Sequence, residues 1–75
     1  MLSAFVMVNS VPDQSERVLS RIEEIEGVAE AYRIWGIYDI VAVVKAETPE
    51  DIKKTLLNIR NVEPVLSTLT LMVVK

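Results

Sequence analysis

Apolar residues recur at every second position at the start of the chain, which is the period of a β-strand. Leu2, Ala4, Val6 and Val8 form one phase of this alternation, and the intervening positions read Ser, Phe, Met and Asn. Because the second phase also carries large apolar side chains, both faces of the strand should be covered. The pattern therefore predicts a central strand of a sheet.

The segment that follows, SVPDQSERVLSRIEEIEG, changes to the spacing of an amphipathic helix. Apolar residues from Val18 to Ile25 recur at helical intervals and share one face. Ser10 is the candidate N-cap, Pro12 fits the first turn, and Gly27 is a stop signal. We predict a helix that packs on the sheet through its apolar face.

Two further strands are predicted on either side of a break at Gly36. Residues 28–35 form the first, and the charges of Glu30 and Arg33 are typical of a sheet edge. A nearly uniform apolar run from Tyr38 or Asp39 to Ala46 indicates a second central strand. Because so few residues separate the two strands, we expect a hairpin around Gly36 and Ile37.

The remaining sequence predicts one more helix and one more strand. Thr48 is a candidate N-cap, Pro49 suits the first helical position, and acidic residues follow at the positive end of the helix dipole. The apolar face of this helix comprises Ile52, Leu56 and Ile59. A strand over residues 65–74 would place Thr68 and Thr70 on one face, opposite Ser67, Leu69 and Leu71.

The predicted order, strand, helix, strand, strand, helix, strand, is that of a single α+β domain over residues 1–75. Right-handed crossovers give the ferredoxin-like split βαβ fold (βαββαβ), with a four-stranded antiparallel sheet and both helices on one face. The opposite face should be apolar, through some of Phe5, Met7, Val41, Val43, Met72 and Val74. A second subunit's sheet is the expected cover, as in a dimeric α+β barrel.

Composition supports an oligomer and excludes several classes of function. The 75 residues are 51% hydrophobic, which is more apolar material than so small a core usually encloses. The net charge is −3, and the basic residues are scattered, so we expect no direct nucleic-acid binding. The start MLSAFVMVN resembles neither an export signal nor a membrane span, so we expect a cytoplasmic protein.

The same residue counts argue against an enzyme. There is no cysteine and no histidine, which removes thiolate zinc sites, Cys or His nucleophile systems and imidazole bases. No glycine-rich phosphate loop and no metal-ligand spacing is present, and Glu47, Glu50 and Asp51 belong at a helix start without any catalytic role. We expect no cofactor, no metal and no catalytic residue.

The stretch WGIYDI contains the first candidate binding residues. Gly36 can serve only a backbone conformation that favours glycine, and Tyr38 can be an interface aromatic. Asp39 leads into a buried strand, so its carboxylate needs a partner, which can be loop amides, an arginine or a bound ammonium. Trp35 is expected to pack at an edge or interface. The stretch is therefore either a structural turn or one wall of a small-molecule site.

Thr68 and Thr70 are the second candidate pair. Threonine is a good strand former, and such residues often face solvent or a cross-strand neighbour. Spaced two apart, however, they present adjacent hydroxyls on one strand face, which suits a polar small molecule if another subunit closes the pocket.

Taken in order, these motifs resemble a known family. The succession GIYDIVAVVKAETPEDIKKTL, followed by a V-x-x-T-x-T strand at Val65, Thr68 and Thr70, resembles the effector-binding RAM domain of Lrp/AsnC transcription regulators. In that family a G-x-Y-D hairpin precedes a hydrophobic strand, and here the hairpin motif is Gly36 with the three residues that follow it. The resemblance extends from Phe5 to Val74.

The resemblance implies dimers that form through their sheets, assembly into rings of eight, and amino-acid effectors bound between dimers. One wall of the site would comprise Gly36, Ile37, Tyr38 and Asp39. Thr68 and Thr70 would form another wall. An effector's ammonium would pair with Asp39, loop amides near Gly36 would hold its carboxylate, and the two hydroxyls would set its orientation. No helix-turn-helix domain precedes the module in this sequence, so we expect a stand-alone version without its own DNA binding.

Three functions follow as hypotheses. The first is a non-catalytic, amino-acid-sensing oligomer linked to transcriptional regulation of amino-acid metabolism. The alternative is an adaptor that co-assembles with full-length Lrp/AsnC regulators and binds no effector itself. A small enzyme ranks last, because the chain offers no histidine and no evident acid/base pair.

Overall fold

A computed structural model describes residues 1–74 of the chain. The six elements are β1 (Leu2–Ser10), α1 (Ser15–Glu23), β2 (Val28–Arg33), β3 (Ile40–Ala46), α2 (Pro49–Arg60) and β4 (Val65–Met72). The four strands form one antiparallel sheet in the order β2-β3-β1-β4. This is the predicted split βαβ arrangement, with β1 and β3 at the centre.

Both helices cover one face of the sheet, and the core lies between the two layers. In the central strands this face is formed by Ala4, Val6 and Val8 of β1 and Ile40, Ala42 and Val44 of β3, all of which are buried. The helices contribute Val18, Ile22, Ile52 and Ile59. The alternation in β1 and the helical spacing of α1 and α2 therefore predicted the core correctly.

Helix α1 begins later than the sequence signals suggested. Ser10 is not its N-cap, because β1 continues through Ser10, which is buried at the end of the strand. Pro12 precedes the helix instead of lying in its first turn, and Asp13 turns the chain with a φ of 71°. The helix starts at Ser15, and Gln14, at the N-cap position, makes no side-chain cap hydrogen bond.

The stop at Gly27 lies beyond the end of α1. The helix ends at Glu23, and a turn in which Val28 N–H donates to Ile25 O leads into β2. Gly27 has a φ of +101°, and a Cβ at this position would overlap Thr55 Oγ1. Glycine is required here because both the backbone conformation and the close approach of α2 exclude a side chain.

The start of α2 follows the predicted chemistry. Thr48 Oγ1 accepts a hydrogen bond from Asp51 N–H at 3.1 Å, and Pro49 is the first helical residue. The hydroxyl satisfies one of the backbone donors that the first turn leaves unpaired. This cap confirms the predicted boundary.

The face of the sheet opposite the helices exposes large apolar side chains. Phe5, Tyr32, Leu69 and Leu71 are each 43–51% exposed, and Met7, Val41 and Val43 lie half-buried between them. We refer to these seven residues as the open face. Met72 was wrongly assigned to it: this residue pairs with Ala4 and lies on the helix side. Val74 lies beyond the end of β4.

Neither helix in residues 1–74 is long and apolar enough to cross a lipid bilayer. The longer of the two, α2, has only 12 residues, whereas about 20 are needed to span the hydrocarbon core.

Candidate functional site

The hairpin loop between β2 and β3 carries the first group of predicted site residues. Strand β2 ends at Arg33, earlier than predicted, and the loop closes through a hydrogen bond from Ile34 N–H to Asp39 O at 2.8 Å. Trp35 therefore lies in the loop and is fully exposed in a single copy. Gly36 has a φ of +133°, and a Cβ at this position would meet no heavy atom within 4 Å, so only its backbone conformation calls for glycine.

Asp39 fastens this loop to the end of β1. Its Oδ2 accepts hydrogen bonds from Ser10 N–H at 2.8 Å and from the Ser10 hydroxyl at 3.4 Å. Its own N–H donates to Val8 O at 2.9 Å. Within residues 1–74, Oδ1 accepts no hydrogen bond. One oxygen of the half-buried carboxylate thus has a structural partner, and the other is free to accept from a ligand.

A depression of about 510 Å³ lies beside the loop. Its lining consists of Ser15, Arg33, Ile34, Trp35, Gly36 and Asp39. Arg33 was not among the predicted site residues, because a charge on an edge strand is explained equally well by solvent exposure. Its guanidinium Nη1 donates to Glu16 Oε1 of α1 at 3.0 Å. Among the residues that line the depression, Arg33 is cationic and Asp39 is anionic.

The two middle residues of the hairpin motif do not line this depression. Ile37 is 87% exposed at the loop, and Tyr38 is half-buried. Their contact with an effector remains a prediction, and it requires an effector or a neighbouring copy to cover the loop.

The two threonines lie elsewhere on the molecule. Thr68 pairs with Val8 and Thr70 pairs with Val6, so both are half-buried on the helix side of the sheet. They line a groove of about 530 Å³ between α2 and β4, to which Arg60 contributes a positive charge. Because β1 separates β4 from β3, Thr68 is about 10 Å from Ile40, two strand spacings away. One copy alone does not bring the two predicted walls together.

One ionisable group on β2 has a perturbed pKa. The Tyr32 hydroxyl donates a hydrogen bond to Glu30 Oε1, and both side chains are exposed on the edge strand. This hydrogen bond, followed by the negative charge of Glu30, raises the pKa of Tyr32 above its ordinary value, because losing the proton would place two negative charges side by side.

No group of three or more Asp, Glu, His or Cys side chains in the described part of the chain is arranged to hold a metal ion. The arrangement found at the hairpin instead suits a small ligand that carries both charges, since Arg33 and Asp39, which has one carboxylate oxygen without a hydrogen bond in residues 1–74, line the same depression.

Comparison with known proteins matches this chain to one family of ligand-binding domains. The family model of the Lrp/AsnC ligand binding domain matches residues 3–75. The HTH-type transcriptional regulator LysM of Sulfurisphaera tokodaii is 37% identical over 68 residues, which are 89% of this chain and 49% of that protein. The homocitrate synthase of the same organism is 43% identical over 58 residues, which are 77% of this chain and 13% of the enzyme. The chain thus spans about half of the regulator and a small part of the enzyme.

Solved structures share the fold over its whole length. TTHA0845 from Thermus thermophilus superimposes with a TM-score of 0.93 at 30% identity, covering 100% of this chain and 95% of the other. AsnC from E. coli superimposes with a TM-score of 0.90 at 24% identity, covering 99% of this chain and 51% of that one. The split βαβ architecture is therefore common to short chains and to one part of longer ones.

Proposed function

This chain belongs to the Lrp/AsnC ligand-binding domain family, and on that premise we propose that it is a non-catalytic module that binds an amino-acid effector and acts as an oligomer. The observation that carries the proposal is the coincidence of the G-x-Y-D hairpin with a depression that Gly36 and Asp39 line. The free Oδ1 of Asp39 would accept from the effector's ammonium, and the loop amides near Gly36 are available to its polar groups.

The relatives support a regulatory use of the module. A matching segment occurs in a protein named as an HTH-type transcriptional regulator and in one named as a homocitrate synthase. A module that occurs within both a transcriptional regulator and an enzyme is well suited to sense a metabolite. Binding of the metabolite would then be signalled to the domain that the module is joined to, or to the protein that it assembles with. We propose that this chain has that sensing role in amino-acid metabolism.

The open face supports assembly into dimers. Phe5 and Tyr32 alone present on the order of 200 Å² of mostly apolar area, given about 150–250 Å² for a whole aromatic side chain, and Leu69 and Leu71 add to it. A patch of several hundred Å² on so small a protein is typical of an interaction site. A second copy of the same sheet would cover it with matching apolar groups.

A pocket that includes the threonines requires a second interface. Thr68 and Thr70 lie on the helix side of the sheet, whereas the open face points the other way. Two sheets packed face to face therefore leave the groove between α2 and β4 exposed. A hairpin loop from another dimer could approach this groove, so that Asp39 of one copy and Thr68 of another meet. Such an arrangement favours assemblies larger than a dimer, including the ring of eight that the resemblance implies.

Effector binding would then act on assembly. An effector held between copies binds more tightly to the assembled state than to the separate one, so its presence shifts the population toward assembly. Full-length family members carry the same module, and co-assembly with them is the alternative role. Purification from the native cell separates these roles, because an adaptor should bring a DNA-binding partner with it, whereas a sensor is expected to purify alone.

Titration calorimetry with the twenty standard amino acids tests the proposal. We expect at least one to bind at submillimolar concentration and Asp39→Asn to weaken its binding about 10-fold or more, which corresponds to a charge-assisted hydrogen bond. Asparagine keeps an oxygen that can accept from Ser10 N–H, so the loop anchor survives. Asp51→Asn, in the first turn of α2, is the matched control. Absence of binding at millimolar ligand, or equal effects of both variants, would refute the assignment.

A further inference from the structure

We infer that Arg33 binds the carboxylate of the effector and that Glu16 holds the guanidinium in position for it. The inference rests on the proposed function. Arg33 and Asp39 are the charged residues that line the depression beside the hairpin loop. A free α-amino acid carries one ammonium and one carboxylate on the same carbon atom. A depression with one carboxylate and one guanidinium offers a partner to each.

The position of Arg33 follows from the register of the hairpin. Arg33 is the last residue of β2 and pairs with Ile40, which is buried on the helix side. Its side chain therefore leaves the sheet on that side and reaches the first turn of α1, where Glu16 lies. Asp39 directly precedes Ile40 in the chain. The two charged residues thus stand at adjacent ends of the two strands that the loop connects.

The guanidinium retains most of its binding capacity. Arginine has five N–H donors in a planar fork, and within residues 1–74 a single hydrogen bond from Nη1 to Glu16 Oε1 uses one of them. The side chains of Arg33 and Glu16 are 51% and 83% exposed, so their ion pair is easily shared or exchanged in water. The remaining donors can bind a ligand carboxylate in bidentate fashion.

A carboxylate held by Arg33 makes the site selective for free amino acids. If Arg33 rather than the loop amides holds this group, the site requires a negative charge at that end of the ligand. An α-carboxamide of the same amino acid keeps the ammonium and the side chain but loses the negative charge. The module would therefore distinguish free amino acids from amidated or peptide-linked ones.

The experiment uses two ligands, the amino acid that binds most tightly in the panel of twenty and its α-carboxamide. Each ligand is titrated calorimetrically into the wild type, Arg33→Gln, Arg33→Lys and the control Arg21→Gln. We expect the wild type and the control to prefer the free acid by about 10- to 100-fold, the range for hydrogen bonds to charged groups. Arg33→Gln should lose this preference by weakening the acid alone, and Arg33→Lys should keep part of it because the charge remains.

A merely structural role of Arg33 predicts a different result. Loss of the surface pair with Glu16 would then lower the stability of the fold and weaken the acid and the carboxamide equally. An unchanged preference for the free acid in Arg33→Gln would overturn the inference while leaving the proposed function intact. If no amino acid binds the wild type, the proposed function fails together with it. Glu16→Gln should keep a preference for the free acid but reduce it, since Arg33 is still present and loses only the group that holds its guanidinium. A preference as large as that of the wild type would refute the positioning role of Glu16.

Discussion

Replacing Leu71 with lysine should break the association of copies through the open face. Leu71 is 50% exposed in one copy and lies beside Phe5 on that face. Complete burial of a leucine contributes about 1.5–3 kcal/mol, so the half still exposed accounts for about 1 kcal/mol in each copy. Two copies lose about 2 kcal/mol, which raises the dissociation constant roughly 30-fold. Desolvation of two lysine ammonium groups adds to this, so the figure is a lower limit.

Leu57→Lys is the matched control. Leu57 is 47% exposed, but it lies on α2, in the helix layer away from the open face. Both variants make the same chemical change at nearly equal exposure and shift the net charge equally. Sedimentation velocity over a concentration series measures the dissociation constant of each protein. We expect Leu71→Lys alone to shift the proposed dimer toward monomer. Equal association constants for the two variants would refute the assignment of the open face as the dimer interface.

Three further predictions concern the turn at Gly27, the edge strand and the loop. Gly27→Ala should lower the free energy of unfolding by about 2–5 kcal/mol in urea titrations, because a positive φ and a contact with Thr55 Oγ1 add strain and overlap; full stability would contradict the geometry. Glu30→Gln should lower the pKa of Tyr32 toward its ordinary value. In the unmodified protein the raised pKa means that the Glu30 contact contributes stability below about pH 10, and this stability is lost as the pH rises through the folded-state pKa of Tyr32. Tyrosinate absorbance should therefore appear at lower pH in the variant than in the wild type. Coincident titration curves of the two proteins would argue against the contact. The fluorescence of Trp35, the single tryptophan, should be that of a water-exposed indole in separate copies and should shift to the blue when effector and neighbouring copies cover the loop; an effector that binds without any shift would place its site away from the loop.

Much of the fold could be predicted because the residues that the local periodicity places on one face are those that pack in the core. The alternation of β1 and the helical spacing of α2 each identified the buried apolar residues, but not the buried Thr55. The cap at Thr48 fixed a boundary through a hydrogen bond between residues only three positions apart. Ser10 shows where such reasoning fails. Its residue type suits a helix cap, but a hydrogen bond to Asp39, 29 residues away, holds it in the sheet. The residues that flank Ser10 in the sequence do not indicate that its partner is Asp39.

The candidate site was harder to predict than the fold for the same reason. Arg33 was interpreted as an edge-strand charge, and only the hairpin register and the position of α1 show that it lines a depression with Asp39. The sequence placed Thr68 and Thr70 correctly on one strand face, but it did not indicate that this face carries the helices. The assignment of Met72 to the open face could have been avoided, since Met72 shares its strand phase with both threonines.

The most direct test of the proposed shared site is a crystal structure of the protein grown with the amino acid that binds it most tightly. We predict electron density for the effector between copies, with its ammonium at Asp39 of one copy and with Thr68 or Thr70 of another copy in contact. An effector enclosed by residues of one copy alone, or bound away from the hairpin loop, would contradict the proposal.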